Sequence, residues 1–209
     1  MFIIYSICFW MMIYFINHKH FIYFKTLTSL GFVVTAIYSA YLSNSMHILI
    51  ILLPGLIGCM MGDILLATKI KNQFLYGLTA FLLSNIYFIY YLYHFQSFYI
   101  QELFIPILSM IILISLNYRS HMNYKKYQTP IMIYTFVIAW AMSKSIMCYL
   151  SFQNTMFLYT MIGFIFYYLS DLILLFHRFY ETPHHSKLRI LNLLTYYLGL
   201  FFIAYSLMG

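Results

Sequence analysis

The stretch HILIILLPGLIGCMMGDILLAT, residues 47–68, decides the fold of this chain. Its apolar side chains occupy odd and even positions alike, for example over residues 48–53, and the same holds for residues 111–116. A strand of a membrane β-barrel would instead alternate apolar and polar residues over about ten positions. A run of about 20 mostly apolar residues is what an α-helix needs to cross a bilayer core. The stretch therefore predicts a transmembrane helix.

The whole chain has the composition of a membrane protein. Of its 209 residues, 64% are hydrophobic and only 7% are charged, and the mean hydropathy is +0.86. Apolar surface on this scale needs lipid around it, which excludes a soluble fold, a disordered chain, a nucleic-acid domain and a secreted disulfide framework. Cys8, Cys59 and Cys148 lie far apart in apolar runs without a CxxC pair, which indicates small packing residues.

Charged and polar clusters divide the chain into eight apolar runs. The first run begins at Met1 with no basic residues before it and no small-residue cleavage site after it, so we expect it to be a retained span. The predicted fold is an all-α integral membrane protein, a bundle of eight transmembrane helices in one domain over residues 1–209. The runs cover residues 2–17, 26–43, 47–68, 74–94, 99–117, 130–150, 155–176 and 190–208.

The basic residues follow the connections between the runs alternately. Ten of the eleven lysines and arginines lie in or beside the first, third, fifth and seventh connections. Cytoplasmic connections are enriched in Lys and Arg, so these four are predicted to face the cytoplasm and both termini the other side. We expect a multi-pass protein of the bacterial inner membrane. The ten residues are Lys19, Lys25, Lys69, Lys71, Arg119, Lys125, Lys126, Arg178, Lys187 and Arg189.

Two of the four acidic residues lie inside predicted spans. Asp63 and Asp171 are each five residues from the cytoplasmic end of a run. An unpaired carboxylate within a bilayer costs about 2.5–3.5 kcal/mol, so such residues face a bundle interior or a water-filled cavity. Glu102, at an outer helix end, and Glu181, in a loop with His and Arg, are expected to be solvated. Asp63 and Asp171 are thus the first candidates for chemistry.

The settings of these two aspartates match. A glycine lies eight residues before each one, Gly55 before Asp63 and Gly163 before Asp171. The matching contexts suggest two four-helix halves, in which the third and seventh runs are counterparts. Four crossings per half preserve orientation, so both carboxyl groups would come from parallel helices at a similar depth. We expect them to converge in one cavity, with a chemical role or a structural hydrogen-bond pair as the two alternatives.

Other polar residues are candidates for contact with a substrate. Lys25 opens the second run at a depth from which it can reach either aspartate, and its alternative role is a topology anchor. Tyr167 and Tyr168 precede Asp171 by four and three positions and therefore share its helix face. They can supply hydroxyl groups or a wall for a lipid tail. Lys144 lies too deep to pair with the aspartates, and its partner stays open.

Motifs for a metal or cofactor are missing from the sequence. The eight histidines form no HxxxH or HxxE set on one run, and His184 and His185 are adjacent in a loop after Pro183. The sequence also contains no GxSxG, Walker or dinucleotide motif. We therefore predict neither a metal ion nor an organic cofactor, and no nucleic-acid partner.

Three short motifs in order resemble the YhhN-type lysoplasmalogenase family. They are KTLT at residues 25–28, GDILL at residues 62–66 and SDLIL at residues 170–174, four helices after the second motif. The likeness spans nearly the whole chain and includes the eight-helix layout. The sequence departs from the family pattern in two motifs. Thr26 replaces a proline after the lysine, and Asn85 with Phe88 stands where the family often has a histidine and a tyrosine three residues on.

The resemblance implies a membrane hydrolase that cleaves the vinyl-ether bond of lysoplasmalogens, giving a fatty aldehyde and a glycerophospho-choline or glycerophospho-ethanolamine. Asp63 and Asp171 would act as acid and base, without an assigned order. Lys25, Tyr167, Tyr168 and Asn85 would contact the substrate. The expected partners are a lysophospholipid and membrane lipid, with the oligomeric state open. The alternative is a proton- or cation-coupled membrane transporter that uses the same two aspartates.

Overall fold

A computed structural model describes residues 2–119, 122, 124, 127–180 and 185–209 of the chain, which contain helices and no strand. Seven helical segments are long and apolar enough to cross a membrane, and α1 is shorter at 13 residues. The protein is therefore a membrane helical bundle. Its helices are α1 Phe2–Tyr14, α2 Phe21–Leu42, α3 Met46–Ala67, α4 Gln73–Tyr93, α5 Phe104–Arg119, α6 Gln128–Phe152, α7 Thr155–Phe179 and α8 His185–Tyr205, with 3₁₀ turns at Ile100–Leu103 and Ser206–Met208.

Two helices begin about five residues before the predicted runs. Helix α2 begins at Phe21 because residues 21–24, FIYF, continue its apolar pattern. The predicted start of this helix, placed just after the charged residue Lys25, was therefore too far along the chain. Lys25 lies inside the helix, where it is buried. Helix α8 begins at His185, so Lys187 and Arg189 belong to its first turns. Lysine and arginine can occupy the first turns of a membrane helix because their apolar stems pack along the helix while their charged groups reach water.

The two ends of the bundle differ. Both chain termini lie at one end, which we call the terminal end. There the Ser43 hydroxyl donates to the Leu207 carbonyl at 2.6 Å, and the Thr155 hydroxyl donates to the Gly209 carbonyl at 3.2 Å. The α2–α3 connection and the start of α7 therefore share this end. Since α3 and α7 both leave from it, the two aspartate-bearing helices run parallel, as predicted.

The opposite end carries basic side chains, and we call it the basic end. Lys19, Lys69 and Arg189 line one cleft there. Helix α1 follows α8 between the two ends. The Phe2 and Phe201 rings are 5.5 Å apart toward the terminal end, and Arg189 Nη1 donates to Asn17 Oδ1 at 3.4 Å at the basic end. The bundle thus separates its termini from this group of cations.

Small residues hold the aspartate-bearing helices close to their neighbours. A Cβ at Gly58 of α3 would lie 3.0 Å from the Ser84 Cβ of α4, and one at Gly163 of α7 would lie 2.7 Å from the Gly199 carbonyl oxygen of α8. Helices in a bilayer gain from such close approach because lipid supplies no hydrophobic force between them. The same two helices also pack on the other side, α3 against α2 and α7 against α6. Each aspartate is thereby surrounded by protein.

The structure corrects the prediction for Glu102. Instead of being solvated at a helix end, Glu102 is fully buried, and its Oε1 lies 2.6 Å from the Lys144 Nζ. Lys144 also donates to the Ser97 carbonyl at 2.7 Å, and Tyr93 donates to Glu102 Oε2 at 2.6 Å. The 3₁₀ turn Ile100–Leu103 folds Glu102 inward, which no local sequence pattern indicated. This ion pair answers the open question of the partner of Lys144. Glu181 lies outside the described residues, as does His184.

Candidate active site

Asp63 lies in a closed polar cluster between three helices. Its Oδ1 is 3.0 Å from Lys25 Nζ, and the side chain is only 2% exposed. Its Oδ2 accepts hydrogen bonds from Ser29 at 2.6 Å and from Tyr196 at 2.9 Å, with the Tyr197 hydroxyl at 3.5 Å. One ammonium group and several hydroxyl groups thus converge on a single carboxyl group. Lys25 thus reaches one of the two predicted aspartates.

The helices explain why these groups meet. Lys25 and Ser29 are four residues apart on α2 and therefore share one face, which α2 turns toward α3. Tyr196 and Tyr197 come from α8, which packs against α2. The Tyr5 hydroxyl of α1 donates to the Tyr197 carbonyl at 2.7 Å and ties a fourth helix to the cluster. Four helices thus hold the Asp63 carboxylate in place.

Asp171 has a different environment. Its Oδ2 accepts one hydrogen bond, from the Tyr134 hydroxyl of α6 at 2.6 Å. Within the described part of the chain its carboxyl group forms no ion pair, and the residue is partly exposed. Asp171 lines a cavity of about 20 Å³ together with Tyr134, Thr135 and Tyr168. Such a volume fits about one water molecule. Asp171 therefore meets a hydroxyl group and space for water, but no described cation.

Tyr167 connects the two aspartates. Its ring contacts the Tyr196 ring at 5.6 Å between centroids, and its hydroxyl is close to that of Tyr134. Tyr196 donates a hydrogen bond to Asp63, and Tyr134 donates one to Asp171. The Tyr167 side chain therefore lies between these two tyrosines. The two sites are therefore neighbours in one polar region, although each has its own partners.

Asn85 lies in the same region. Its Nδ2 donates to the Phe81 carbonyl at 3.0 Å and to the Tyr167 hydroxyl at 3.5 Å. Its Oδ1 is buried and has no hydrogen-bond partner among the described residues. The Cys59 sulfur is also near Tyr167, at 3.5 Å from the hydroxyl oxygen. Asn85 thus presents an unused acceptor beside the tyrosine that connects the two aspartates.

The remaining candidate, Tyr168, lies on the other side of α7. Its hydroxyl is 2.6 Å from the Ser109 hydroxyl of α5. It lines the small cavity next to Asp171 without a described hydrogen bond to the carboxyl group. Tyr168 therefore lines the cavity beside Asp171, while the hydroxyl group on the Asp171 carboxyl group comes from Tyr134.

Several partners of the aspartates were missed in the sequence. Ser29 carried a weak signal, because it shares a helix face with Lys25. Tyr134, Tyr196 and Tyr197 carried none, since they are three of 23 tyrosines. Among the described residues, no group of three His, Cys, Asp or Glu side chains is placed to hold a metal ion. The polar groups that the described residues bring together in this region include carboxyl, ammonium, amide and hydroxyl groups.

Comparison with known proteins gives one clear finding. No curated protein and no solved structure matches the chain. The model of the YhhN family matches residues 20–207. This range leaves out α1 and includes Lys25, both aspartates and every other candidate residue of the region. Because the match covers nearly the whole chain, the protein belongs to the YhhN family.

Proposed function

We propose that this protein is a membrane hydrolase that cleaves the vinyl-ether bond of lysoplasmalogens, giving a fatty aldehyde and a glycerophospho-choline or glycerophospho-ethanolamine. Membership of the YhhN family supports a hydrolase role. The observation that carries the proposal is the pair of neighbouring carboxyl groups with unequal partners, Asp63 beside an ammonium group and Asp171 without one. Vinyl-ether hydrolysis needs an acid and a nearby negative charge, and such a pair can supply both.

In the proposed first step, Asp171 is the general acid. A carboxyl group in an apolar setting without a cation favours its neutral form. The Tyr134 hydrogen bond occupies Oδ2, which leaves Oδ1 to carry the proton. Asp171 transfers this proton to the alkenyl carbon farther from the ether oxygen. The electron pair of the C=C bond forms the new C–H bond, and the carbon next to the ether oxygen becomes part of an oxocarbenium ion.

In the second step, Asp171 acts as the base. Its carboxylate takes a proton from a water molecule, for which the adjacent cavity has room. The water oxygen bonds to the oxocarbenium carbon and gives a hemiacetal, while Asp171 regains the proton that it lost. The hemiacetal then collapses, its hydroxyl proton passing to the glycerol oxygen as the C–O bond breaks. One water is consumed and the residue returns to its starting state.

Asp63 stabilises the cation in this scheme. Its carboxylate pairs with the Lys25 ammonium group and accepts hydrogen bonds from Ser29 and Tyr196, and we assign to its negative charge the stabilisation of the oxocarbenium ion. The proposed role of Lys25 is therefore to hold Asp63. A direct contact between Lys25 and the substrate, which the resemblance implies, would require a substrate group to compete with Asp63 for the ammonium group.

The substrate contacts of Tyr167, Tyr168 and Asn85 follow from their places around Asp171. The two tyrosine rings form a wall for the alkenyl chain. The unpaired Asn85 Oδ1 is an acceptor for the hydroxyl group of the substrate or of the hemiacetal. An unsatisfied acceptor in a protein interior is costly, so a ligand that donates a hydrogen bond there gains affinity.

The proposal extends to the architecture. We propose eight crossings in two four-helix halves, α1–α4 and α5–α8. In support, α3 packs between α2 and α4 as α7 packs between α6 and α8, and the α4–α6 contact has its counterpart in α2–α8. Although α1 has 13 residues, it accompanies α8 between the ends of the bundle. The basic end would face the cytoplasm and both termini the other side of a bacterial inner membrane.

The test is hydrolysis by the purified protein in D₂O. A lysoplasmalogen should release its fatty aldehyde with one deuterium on the carbon next to the carbonyl, because the solvent-derived proton of Asp171 goes to carbon. The matched 1-O-alkyl lysophospholipid, which lacks the double bond, should be left intact. Absence of aldehyde release, together with proton- or Na⁺-driven uptake in proteoliposomes, would replace the hydrolase by the transporter alternative.

A further inference from the structure

A basic cleft opens at the same end of the bundle as Asp63. Its volume is about 700 Å³, within the range of small-molecule binding sites. Three cationic side chains line it, Lys19, Lys69 and Arg189, and its lining includes no carboxylate. The ion pairs within the described residues are Lys25–Asp63 and Lys144–Glu102, so the charges of the cleft lack acidic partners there. Unpaired cations around a cavity favour an anion.

The cleft is close to the proposed chemistry. Ile22 and Leu66 line it, and they lie three residues from Lys25 and Asp63 on α2 and α3. Three residues of an α-helix rise about 4.5 Å, so the cleft begins roughly one helical turn beyond the Lys25–Asp63 pair. In a lysoplasmalogen, about six covalent bonds separate the vinyl-ether carbon from phosphorus, a span of roughly 7 Å when extended. A phosphate in the cleft therefore suits a vinyl ether near the aspartates.

Lys25 is poorly placed for the same task. It is 6% exposed, and its ammonium group is engaged by Asp63. Lys19 and Lys69 are exposed instead, and Arg189 is partly exposed with its guanidinium 5.0 Å from the Phe21 ring centroid. Stacking on an aromatic ring orients a guanidinium while its N–H groups stay available for phosphate. The cations that a phosphate can reach without breaking an ion pair are those of the cleft.

From these observations, and resting on the proposed function, we propose that the cleft of Lys19, Lys69 and Arg189 binds the phosphate group of the lysophospholipid. Because the described residues of the cleft lining include no acid, they supply no partner for the amine of the headgroup. Recognition is therefore of the phosphate, and choline and ethanolamine headgroups bind alike. The headgroup amine points toward water at the mouth of the cleft.

The experiment measures binding without chemistry. The probe is a saturated 1-O-alkyl lysophosphatidylethanolamine, which has no vinyl ether, titrated into the purified full-length protein in nanodiscs. The double variant Lys69→Ala/Arg189→Ala should bind the probe about tenfold or more weakly, because it loses charged hydrogen bonds to the phosphate. Lys71→Ala is the matched control, since it removes a nearby exposed charge outside the cleft lining, and it should stay within about twofold. The single variant Arg189→Lys keeps Lys69 and a positive charge at position 189. It should therefore bind the probe more tightly than the double variant does.

Three further probes decide the source of the phosphate. The choline form of the probe should bind within about threefold of the ethanolamine form, and the 1-O-alkylglycerol without phosphate should bind at least tenfold more weakly. Equal binding of the alkylglycerol, unchanged affinity in the double variant, or binding of inorganic phosphate without binding of the lysophospholipid would each overturn the proposal. Since the probe is not a substrate, a protein that binds it in the cleft but releases no aldehyde would contradict the proposed function alone.

Discussion

At the scale of single residues, the two aspartates show how the same side chain acquires two roles. Asp63 is held by an ammonium group and three hydroxyl groups, and Asp171 by one tyrosine. The difference comes from the helices that face them, since α2 presents Lys25 to Asp63 whereas α6 presents Tyr134 to Asp171. One carboxyl group is thereby paired with a cation, while the other has a hydroxyl group as its described hydrogen-bond partner.

The first prediction concerns Asp171. The substitution Asp171→Asn keeps the size and the Tyr134 contact but removes the transferable proton, so we expect turnover of a lysoplasmalogen to fall by at least about 10²-fold. Stability should change little because no described ion pair is lost. The measurement combines aldehyde release with thermal unfolding, and Tyr168→Phe, which removes a hydroxyl from the same cavity, is the control. Near-normal turnover of the Asn variant would remove Asp171 from the mechanism.

The second prediction separates the structural and chemical roles of the Lys25–Asp63 pair. Lys25→Met leaves a buried carboxylate without its cation, which should cost about 3–5 kcal/mol of stability. The double variant Lys25→Met/Asp63→Asn removes both charges and should recover most of that loss. It should remain at least about 10²-fold less active, because the negative charge is gone. Unfolding in a denaturing detergent series measures the first effect and aldehyde release the second; recovery of activity in the double variant would make the pair purely structural.

The residues that the sequence allowed us to predict are those with a large physical cost. A charge inside a membrane span must have a partner or a function, so Asp63, Asp171 and Lys25 were identifiable from the sequence. Tyrosine is common in this chain, and burying it costs less free energy than burying a charge. The structure was therefore needed to distinguish Tyr134, Tyr196 and Tyr197 from the other tyrosines. Glu102 was misjudged for a related reason, since its partner Lys144 is 42 positions away.

At the scale of helices, boundaries drawn by charge were the weakest part of the prediction. Helix α2 continues through Lys25 because that residue turns inward to Asp63, so its charge does not mark the membrane surface. The direction of α3 and α7 was predictable, because each span reverses the chain and four spans restore its direction. In the structure, Gly58 of α3 and Gly163 of α7 allow these helices to approach α4 and α8 closely.

The third prediction tests this packing in the α7–α8 pair. A Cβ at Gly163 would lie 2.7 Å from the Gly199 carbonyl oxygen and 2.9 Å from the Ile203 nitrogen, so Gly163→Ala must push two backbones apart. Gly77→Ala is the matched control, since its Cβ would meet the Leu66 side chain, which can move. Overpacking makes us expect about 1–3 kcal/mol lower stability for Gly163→Ala than for the control. Equal unfolding transitions in detergent would contradict this view of the interface.

At the scale of the whole molecule, charge and chain direction give the bundle two unlike ends. The termini, the α2–α3 connection and the start of α7 share the terminal end. The cleft of Lys19, Lys69 and Arg189 occupies the basic end, where the phosphate of the substrate would enter. The separation of the termini from the basic residues was predictable from the sequence, because lysine and arginine are enriched in the short cytoplasmic loops of membrane proteins. The sequence did not predict the cleft, which brings together Lys19 of the α1–α2 connection, Lys69 of the α3–α4 connection and Arg189 of α8.

The last prediction fixes the orientation of these ends in the cell. If the basic end faces the cytoplasm, Gly209→Cys lies outside and Lys71→Cys, in the α3–α4 connection, lies inside. Cys8 is replaced by Ala in both variants, while Cys59 and Cys148 are buried and protected from reagent. A membrane-impermeant thiol reagent on spheroplasts, whose inner membrane is intact, should label Gly209→Cys and spare Lys71→Cys until the membrane is opened. The opposite labelling pattern would show that the orientation in the membrane is reversed. The phosphate cleft would then lie on the outer face.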